Sequence, residues 1–499
     1  MKNLIYIVGA GSFAEKLAIS LKKFPLQVVG FIDEFRTEDL MELPVTKASE
    51  LVFDPSALFI TAISNQVYTK NAIERLVNVS VARSNIIPLY YDSCCVYLES
   101  TLQKNFTENI KKLTQCNGQF SQYELQTRVS TLNNNSISIR LLSRGSLFLS
   151  HLNPIRKILD INSINYELVT DREYPKLGKH KIASQEGMLS AESELVITTQ
   201  FFNVAPATTK RLTLLHAIYD SMMFRESIFD EIDSPKHHFI AIPTEACMTF
   251  FKEKLSNRKL RNKVTLLPFG YPKLDQNIKS FKEYKLISAE EKLIIYAPTQ
   301  SLTPNFEASE GFSLLDAQEY LMRILEILPS HQLILQPHPD DLVLLKEGSN
   351  SDEKTALKKL IKLAGSHPRV SLVDPNISQI ELFSKSQFLI SDTSSTAYTY
   401  AFTTSKPVLF LSPQEKELKE KWAHLSYVKD RDKVGVICAS LNDLDSAIST
   451  LLLNSEDIIN QIEQLKHLQV FNLSNSKACV IKTINSIKQN NIPNNWVTF

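Results

Sequence analysis

A surplus of charge of either sign is missing from this chain. Its 55 lysines and arginines face 54 aspartates and glutamates, a formal net charge of +1. That balance argues against non-specific nucleic-acid binding, which draws on a surplus of cations, while leaving room for a local basic patch. Cysteine is scarce: six in 499 residues, at positions 94, 95, 116, 247, 438 and 479. No two form a Cys-x-x-Cys pair and none joins histidine at zinc-site spacing, so neither a metal site nor a disulfide scaffold is expected. Cys94 and Cys95 are adjacent and poorly placed to pair with each other; reduced thiols in a cytoplasmic protein are the simple expectation. No apolar run approaches the ~20 residues that span a bilayer. The opening MKNLIYIVGAGSF passes from a short apolar run into a glycine turn, without the long apolar region and cleavage site of a signal peptide. A cytoplasmic location, at most peripheral on the inner face of the cell membrane, is expected. What is present is ordinary globular usage, 43% hydrophobic and 22% charged, in a length that suggests about three domains.

Along the chain, strand-like apolar runs alternate with helical patterns. Leu4–Val8, a Gly9-Ala10-Gly11-Ser12-Phe13-Ala14 turn, a helix from Glu15 to Lys23 and a strand Gln27–Ile32 ending in Asp33 follow the order of a dinucleotide-binding unit. With a further strand at Ala57–Ala62, residues 1–100 read as a small α/β domain. Residues 101–135, polar and closing on Asn133-Asn134-Asn135, read as linker plus helix. A second α/β region, 136–272, has strands at Ser136–Leu142, Tyr166–Thr170, Glu194–Thr199, Leu212–Leu215 and His238–Ile242, with a helix at Pro154–Leu159. A third, 273–465, has strands at Leu293–Ala297, Gln332–Gln336, Val370–Val373, Phe388–Ile390 and Pro407–Leu411, with helices at Asp316–Leu328 and Glu353–Ala364. Residues 466–499 read as helices. This alternation predicts parallel sheets covered by helices, with ligands at the carboxyl ends of the strands.

Three strand exits stand out in the third region. The strand ending at Ser391 runs into Asp392-Thr393-Ser394-Ser395 and then a helix; backbone N–H groups and hydroxyls there suit a phosphate or diphosphate, although the same residues also serve as plain helix caps. Pro337-His338-Pro339 holds a histidine in a rigid turn, able to donate a hydrogen bond to a phosphoryl oxygen. Pro298-Thr299 is the equivalent exit of the first strand of the region. In the second region His216 follows the apolar strand Leu212–Leu215, where an imidazole can act as general base or serve as a structural histidine.

Six pieces in order then carry a resemblance: the strand–His216 step, Gly270-Tyr271-Pro272-Lys273-Leu274-Asp275, Tyr296-Ala297-Pro298-Thr299, His338-Pro339, Ser391-Asp392-Thr393-Ser394-Ser395 and Lys406-Pro407-Val408-Leu409-Phe410. Residues 190–420 resemble the CDP-glycerol glycerophosphotransferase family, the primases and polymerases of teichoic acid and capsule-like polymers. The resemblance implies an α/β fold with a GT-B type pair of Rossmann-like domains over about 135–499, preceded by an extra N-terminal Rossmann-like domain. It implies transfer of a polyol-phosphate from a CDP-linked donor to a glycan or glycolipid acceptor, with no added cofactor, metal or nucleic acid. Carried residue by residue, His216 takes the role of general base, and His338, Ser394 and Ser395 that of donor-phosphate contacts, beside Pro298, Thr299, Asp392 and Thr393. His338 would also stabilise charge on the diphosphate and so counts as catalytic. The chain departs from the family where His-Gly-Thr is replaced by His216-Ala217-Ile218-Tyr219-Asp220, and where an acid is replaced by Thr399. A glycosyltransferase using a CMP- or UDP-linked sugar, with Asp220 helping to place an acceptor, and a non-catalytic nucleotide-binding scaffold stay open beside the polyol-phosphate reading. The N-terminal residues, with Val29-Gly30-Phe31-Ile32-Asp33 and Leu43-Pro44-Val45, resemble the nucleotide-sugar-binding domain of bacterial sugar acyltransferases and NAD-binding domains generally. Gly9, Gly11, Ser12 and Asp33 would then contact a nucleotide or NAD.

Overall fold

The computed structural model describes residues 3–21, 26–36, 38–63, 66–82, 85–87, 89–92, 95–98, 124–125, 138–143, 146–170, 174, 178, 180–182, 193–201, 209–220, 226–229, 232–287, 292–302, 309–345, 351–374 and 377–499. The chain divides into two units, Met1–Asn135 with Leu168–Ala191, and Ser136–Glu167 with Glu192–Phe499.

In the first unit, strands Asn3–Val8, Leu26–Ile32, Val45–Thr46, Leu58–Thr61 and Ile86–Ile87 form one parallel sheet. Numbered in chain order the strands lie 3-2-1-4-5, the doubly wound arrangement. A parallel sheet is buried on both faces and so needs nearly continuous apolar strands. Ile5 and Ile7 pack with Ala14, Ala18 and Leu21 of helix Ser12–Leu21, while Val8, Ile32 and Phe59 pack with Leu76 on the other face. Residues 101–135, expected as linker and helix, lie outside the described residues except Glu124–Leu125, which pairs with Cys95–Leu98. Cys94 and Cys116 also lie outside them; Cys247, Cys438 and Cys479 are free thiols.

The second unit holds two successive parallel sheets, the GT-B type pair. In the first, Ile139–Ser143, Leu195–Thr198, Lys210–Leu214, His237–Ile242 and Lys263–Pro268 lie side by side in that order, and Val497–Thr498 closes the edge antiparallel. The second runs Val370–Leu372, Gln332–Leu335, Leu293–Tyr296, Ser386–Ser391, Val408–Leu411, Gly435–Cys438. In chain order that is 3-2-1-4-5-6, whose reversal between strands 1 and 4 opens a crevice at their carboxyl ends. The chain end returns to the first sheet. Gln469 accepts from Ala246 N, and Asn472 donates to the carbonyls of Pro268 and Phe269. Asp275 accepts from Ser474 N and Ser476 N. Gly270 sits at φ +87°, and a Cβ there would collide with the carbonyl of Phe471, so the return path requires glycine.

Between these strands lies a histidine with a predictable pH signature. His238 is fully buried; its Nδ1 donates to the Ile232 carbonyl and its Nε2 accepts from Thr213 Oγ1 at 2.7 Å, a neutral ring. Burial pushes its pKa down to about 3. The unfolded chain therefore binds a proton near pH 6.5 that the folded chain refuses, so stability present above that pH is lost as pH falls toward 4. The loss from this ring is about 3 kcal/mol at pH 4. Urea midpoints measured from pH 7 to pH 4 should fall, and should fall less steeply in His238→Gln; equal slopes would refute the assignment.

Candidate functional site

The candidate site is built from the strand exits of the second sheet. Strand Leu293–Tyr296 leads into Pro298 and Thr299, Gln332–Leu335 into His338, and Ser386–Ser391 into Asp392–Ser395, so three neighbouring strands deliver the predicted residues to one end of the sheet. Two buried carboxylates lock these loops. Asp392 Oδ1 accepts from Thr299 N at 2.8 Å and Ser394 N at 3.2 Å; its Oδ2 accepts from Ser313 N at 3.1 Å and Ser313 Oγ at 3.0 Å. Asp341 accepts from Ser301 N and Leu302 N, both at 2.9 Å, and so ties the first loop to the short helix Pro339–Leu344 behind His338. Burial raises both carboxyls, Asp392 to about 6, against the opposing pull of these donors.

Within this frame the predicted residues divide. Asp392 and Thr393 are buried, and Thr393 Oγ1 donates to the Gly311 carbonyl. Ser394 Oγ accepts from Thr396 N. Ser395 is exposed at the start of helix Thr396–Thr404 and makes no side-chain cap. His338 caps Pro339–Leu344, its Nδ1 accepting from Asp340 N at 3.3 Å. A neutral ring bonded that way carries its proton on Nε2, as a phosphoryl-binding histidine requires. Beside it, Gln336 Oε1 is buried without a hydrogen-bond partner among the described residues.

His216 follows strand Lys210–Leu214 of the other sheet, half-buried. Its ring meets Phe148 edge-on, centroids 5.2 Å apart, and lies 6.0 Å from His151. Tyr271 Oη donates to the His216 carbonyl at 3.0 Å and is 2.8 Å from His151 Nδ1; Lys273 Nζ is 3.2 Å from both His151 Nε2 and Ser150 Oγ. One proton assignment satisfies them all. Lys273 donates to Nε2, the neutral His151 donates from Nδ1 to Tyr271, and Tyr271 donates to the carbonyl that carries His216. Burial and the Lys273 charge hold His151 well below the ordinary histidine range, consistent with that neutral ring. His151 carries no local signal in the sequence; Lys273 stands in the Gly270–Asp275 motif.

The two halves are joined by the segment after His216. Tyr219 stacks on Tyr398, centroids 4.2 Å apart, and donates to Asp430 at 2.5 Å. Asp220 accepts from Ser426 N and Tyr427 N, both at 2.7 Å. Tyr427 Oη reaches the carbonyls of Asp392 and Ser394, at 3.0 and 2.9 Å. The Tyr219-Asp220 pair is thus a buried latch between the His216 segment and the Asp392–Ser395 loop, and its carboxylate is spent on that rather than on placing an acceptor.

In the first unit, Gly9 has φ +107°, a conformation that only glycine takes freely, and a Cβ would press on the Ala62 carbonyl. Gly11 is exposed with open space around it, and the Ser12 side chain lies outside the described residues. Asp33 Oδ2 accepts from Ala10 N of the glycine turn, while its Oδ1 accepts from Phe35 N and Arg36 N in the turn that follows it.

No family model and no curated protein sequence matches the chain. Solved structures do. A structure of the wall teichoic acid polymerase TagF is 14% identical with a TM-score of 0.47, covering 71% of this chain and 88% of that one. UDP-GlcNAc 2-epimerase from Methanocaldococcus jannaschii is 12% identical with a TM-score of 0.44, covering 70% and 99%. The S. aureus MnaA–UDP co-structure is 13% identical with a TM-score of 0.45, covering 72% and 98%. Among the described residues no group of His, Cys, Asp and Glu is arranged to hold a metal ion, and no helix is long and apolar enough to cross a membrane.

Proposed function

We propose that the chain is a transferase of bacterial cell-surface polymer synthesis that moves a polyol-phosphate group from a CDP-activated donor to a glycan or glycolipid acceptor. The observation that carries this reading is the latch. It ties the segment that follows the strand-exit histidine His216 to the Asp392–Ser395 loop. The donor diphosphate lies on the second sheet's exits, with the Nε2–H of His338, the Ser394 and Ser395 hydroxyls and the start of helix Thr396–Thr404 facing its oxygens. The acceptor hydroxyl attacks the β-phosphorus in line and gives its proton to His216. The bond from that phosphorus to the bridging oxygen breaks, and CMP leaves with the electron pair. His338 and the loop N–H groups meet the charge that builds on the diphosphate. A nucleotide in the N-terminal domain and peripheral contact with the membrane that carries a glycolipid acceptor belong to the same proposal.

Thermal-shift screening of CDP-glycerol, CDP-ribitol and CMP- and UDP-sugars, followed by assay of CMP release, tests the reading. Stabilisation by a CDP-polyol with acceptor-dependent CMP release is expected; response to UDP-sugars alone would refute it. His338→Ala should weaken CDP-glycerol binding ~10- to 100-fold, the size of one charge-assisted hydrogen bond, with the fold intact. Unchanged affinity by calorimetry would remove His338 from the site.

A further inference from the structure

Three buried cations of the second unit meet carboxylates: Arg140 pairs with Glu167 at 2.7 Å, Arg431 with Glu415 at 2.6 Å and Lys466 with Glu463 at 2.6 Å. Lys273 has different surroundings. Its Nζ reaches only neutral acceptors, Ser150 Oγ and His151 Nε2, and no carboxylate pairs with it among the described residues. The imidazole it touches, His151, lies in turn 6.0 Å from the ring of His216. Loss of hydration pushes the Lys273 ammonium down to about 8, so it is still mostly charged at neutral pH. An ammonium short of both water and a counter-ion draws in an anion. Ser150, His151, His216 and Lys273 are all half-buried.

We propose that Lys273, with His151 and Ser150, forms a phosphoryl-oxygen subsite beside His216, on the opposite half of the unit from the Asp392–Ser395 loop. The third N–H of Lys273 supplies the charge-assisted bond. His151, held neutral, keeps the ammonium in place and links it through Tyr271 to the His216 backbone. The oxyanion is either a phosphate already present in the acceptor end or the phosphoryl group in transfer; both present the same oxygens. The subsite as such rests on the cluster, and its place in a reaction rests on the transferase reading above.

The test uses the full chain with labelled histidines. Ring signals of His151 and His216 are followed by NMR while inorganic phosphate is added, and CDP-glycerol affinity is measured by calorimetry. In the wild type both ring signals should shift and saturate. In Lys273→Met the phosphate affinity read from them should fall roughly ten- to hundred-fold. Lys273→Gln, which keeps a hydrogen bond to Ser150 without the charge, should fall likewise and serves if the first variant loses melting temperature. A parallel loss of CDP-glycerol affinity places the donor's phosphoryl group in the subsite; an unchanged CDP-glycerol affinity places an acceptor phosphate there. Ring signals that ignore phosphate, or that respond alike in the wild type and both variants, overturn the subsite. Wild-type chain that fails to bind CDP-glycerol yet shows the Lys273-dependent phosphate response overturns the transferase reading and leaves the subsite standing.

Discussion

His216→Asn is expected to lower turnover by ~10²–10⁴-fold, the usual cost of a lost general base, with donor affinity nearly unchanged. The separation follows from the architecture. His216 stands at the exit of Lys210–Leu214 in one sheet, while the residues proposed to hold the donor phosphates stand on the exits of the other. Asparagine keeps the backbone carbonyl that Tyr271 bonds, so the relay from Lys273 survives the substitution. The substitution removes the basic nitrogen and, with the ring, the contacts to Phe148 and His151. The competing view makes His216 a structural histidine of the Phe148–His151–Tyr271 cluster, whose removal lowers stability and rate together. Melting temperature and CMP release measured on the same variant separate the two. A large drop in melting temperature, or near-normal turnover, rules out the base.

Much of the fold was legible because parallel strands buried on both faces must be apolar throughout, and in this chain Gly and Pro punctuate them. Leu4–Val8, read from its run of apolar residues, is the strand Asn3–Val8; Gln332–Gln336 is Gln332–Leu335; Glu353–Ala364 is the helix Asp352–Ser366. The strands Lys263–Pro268, Gly435–Cys438 and Val497–Thr498 were not legible. They are short or flanked by charge, and the last forms only because the chain end returns to pair with Lys263–Pro268. The second half of the His216 environment was hidden for a related reason. Pro154 reads as the first residue of a helix, which leaves His151 in a loop; the helix in fact runs Ser146–Ile161, carrying Pro154 inside it, because Leu149, Leu152, Ile155 and Leu159 bury one face. Tertiary burial outweighs the local cost of proline there. Lys273 and Ser150 are 123 residues apart, and nothing local announces their meeting.

The same limit governs Asp392, and the largest expected loss of stability sits there. The sequence groups Asp392 with the donor contacts, since acids and hydroxyls at a helix start face a ligand or cap the helix with equal ease. In the folded chain its carboxylate is turned to Thr299 N, 93 residues away, and to Ser313, 79 residues away, as well as to Ser394 N. Asp392→Ala strands three backbone N–H groups and a hydroxyl around a fully buried position, so a loss of about 3–5 kcal/mol is expected. Asp392→Asn keeps one acceptor oxygen but aims an NH2 group at the remaining donors, and should recover only part of that loss. Because the Thr299 and Asp392–Ser395 loops are fixed by this one side chain, donor affinity should fall with stability rather than independently of it. Urea unfolding beside CDP-glycerol calorimetry on both variants measures the two together. Full stability with abolished donor binding would show instead that Asp392 meets the donor directly, and the loop framework argued from its four hydrogen bonds would be wrong.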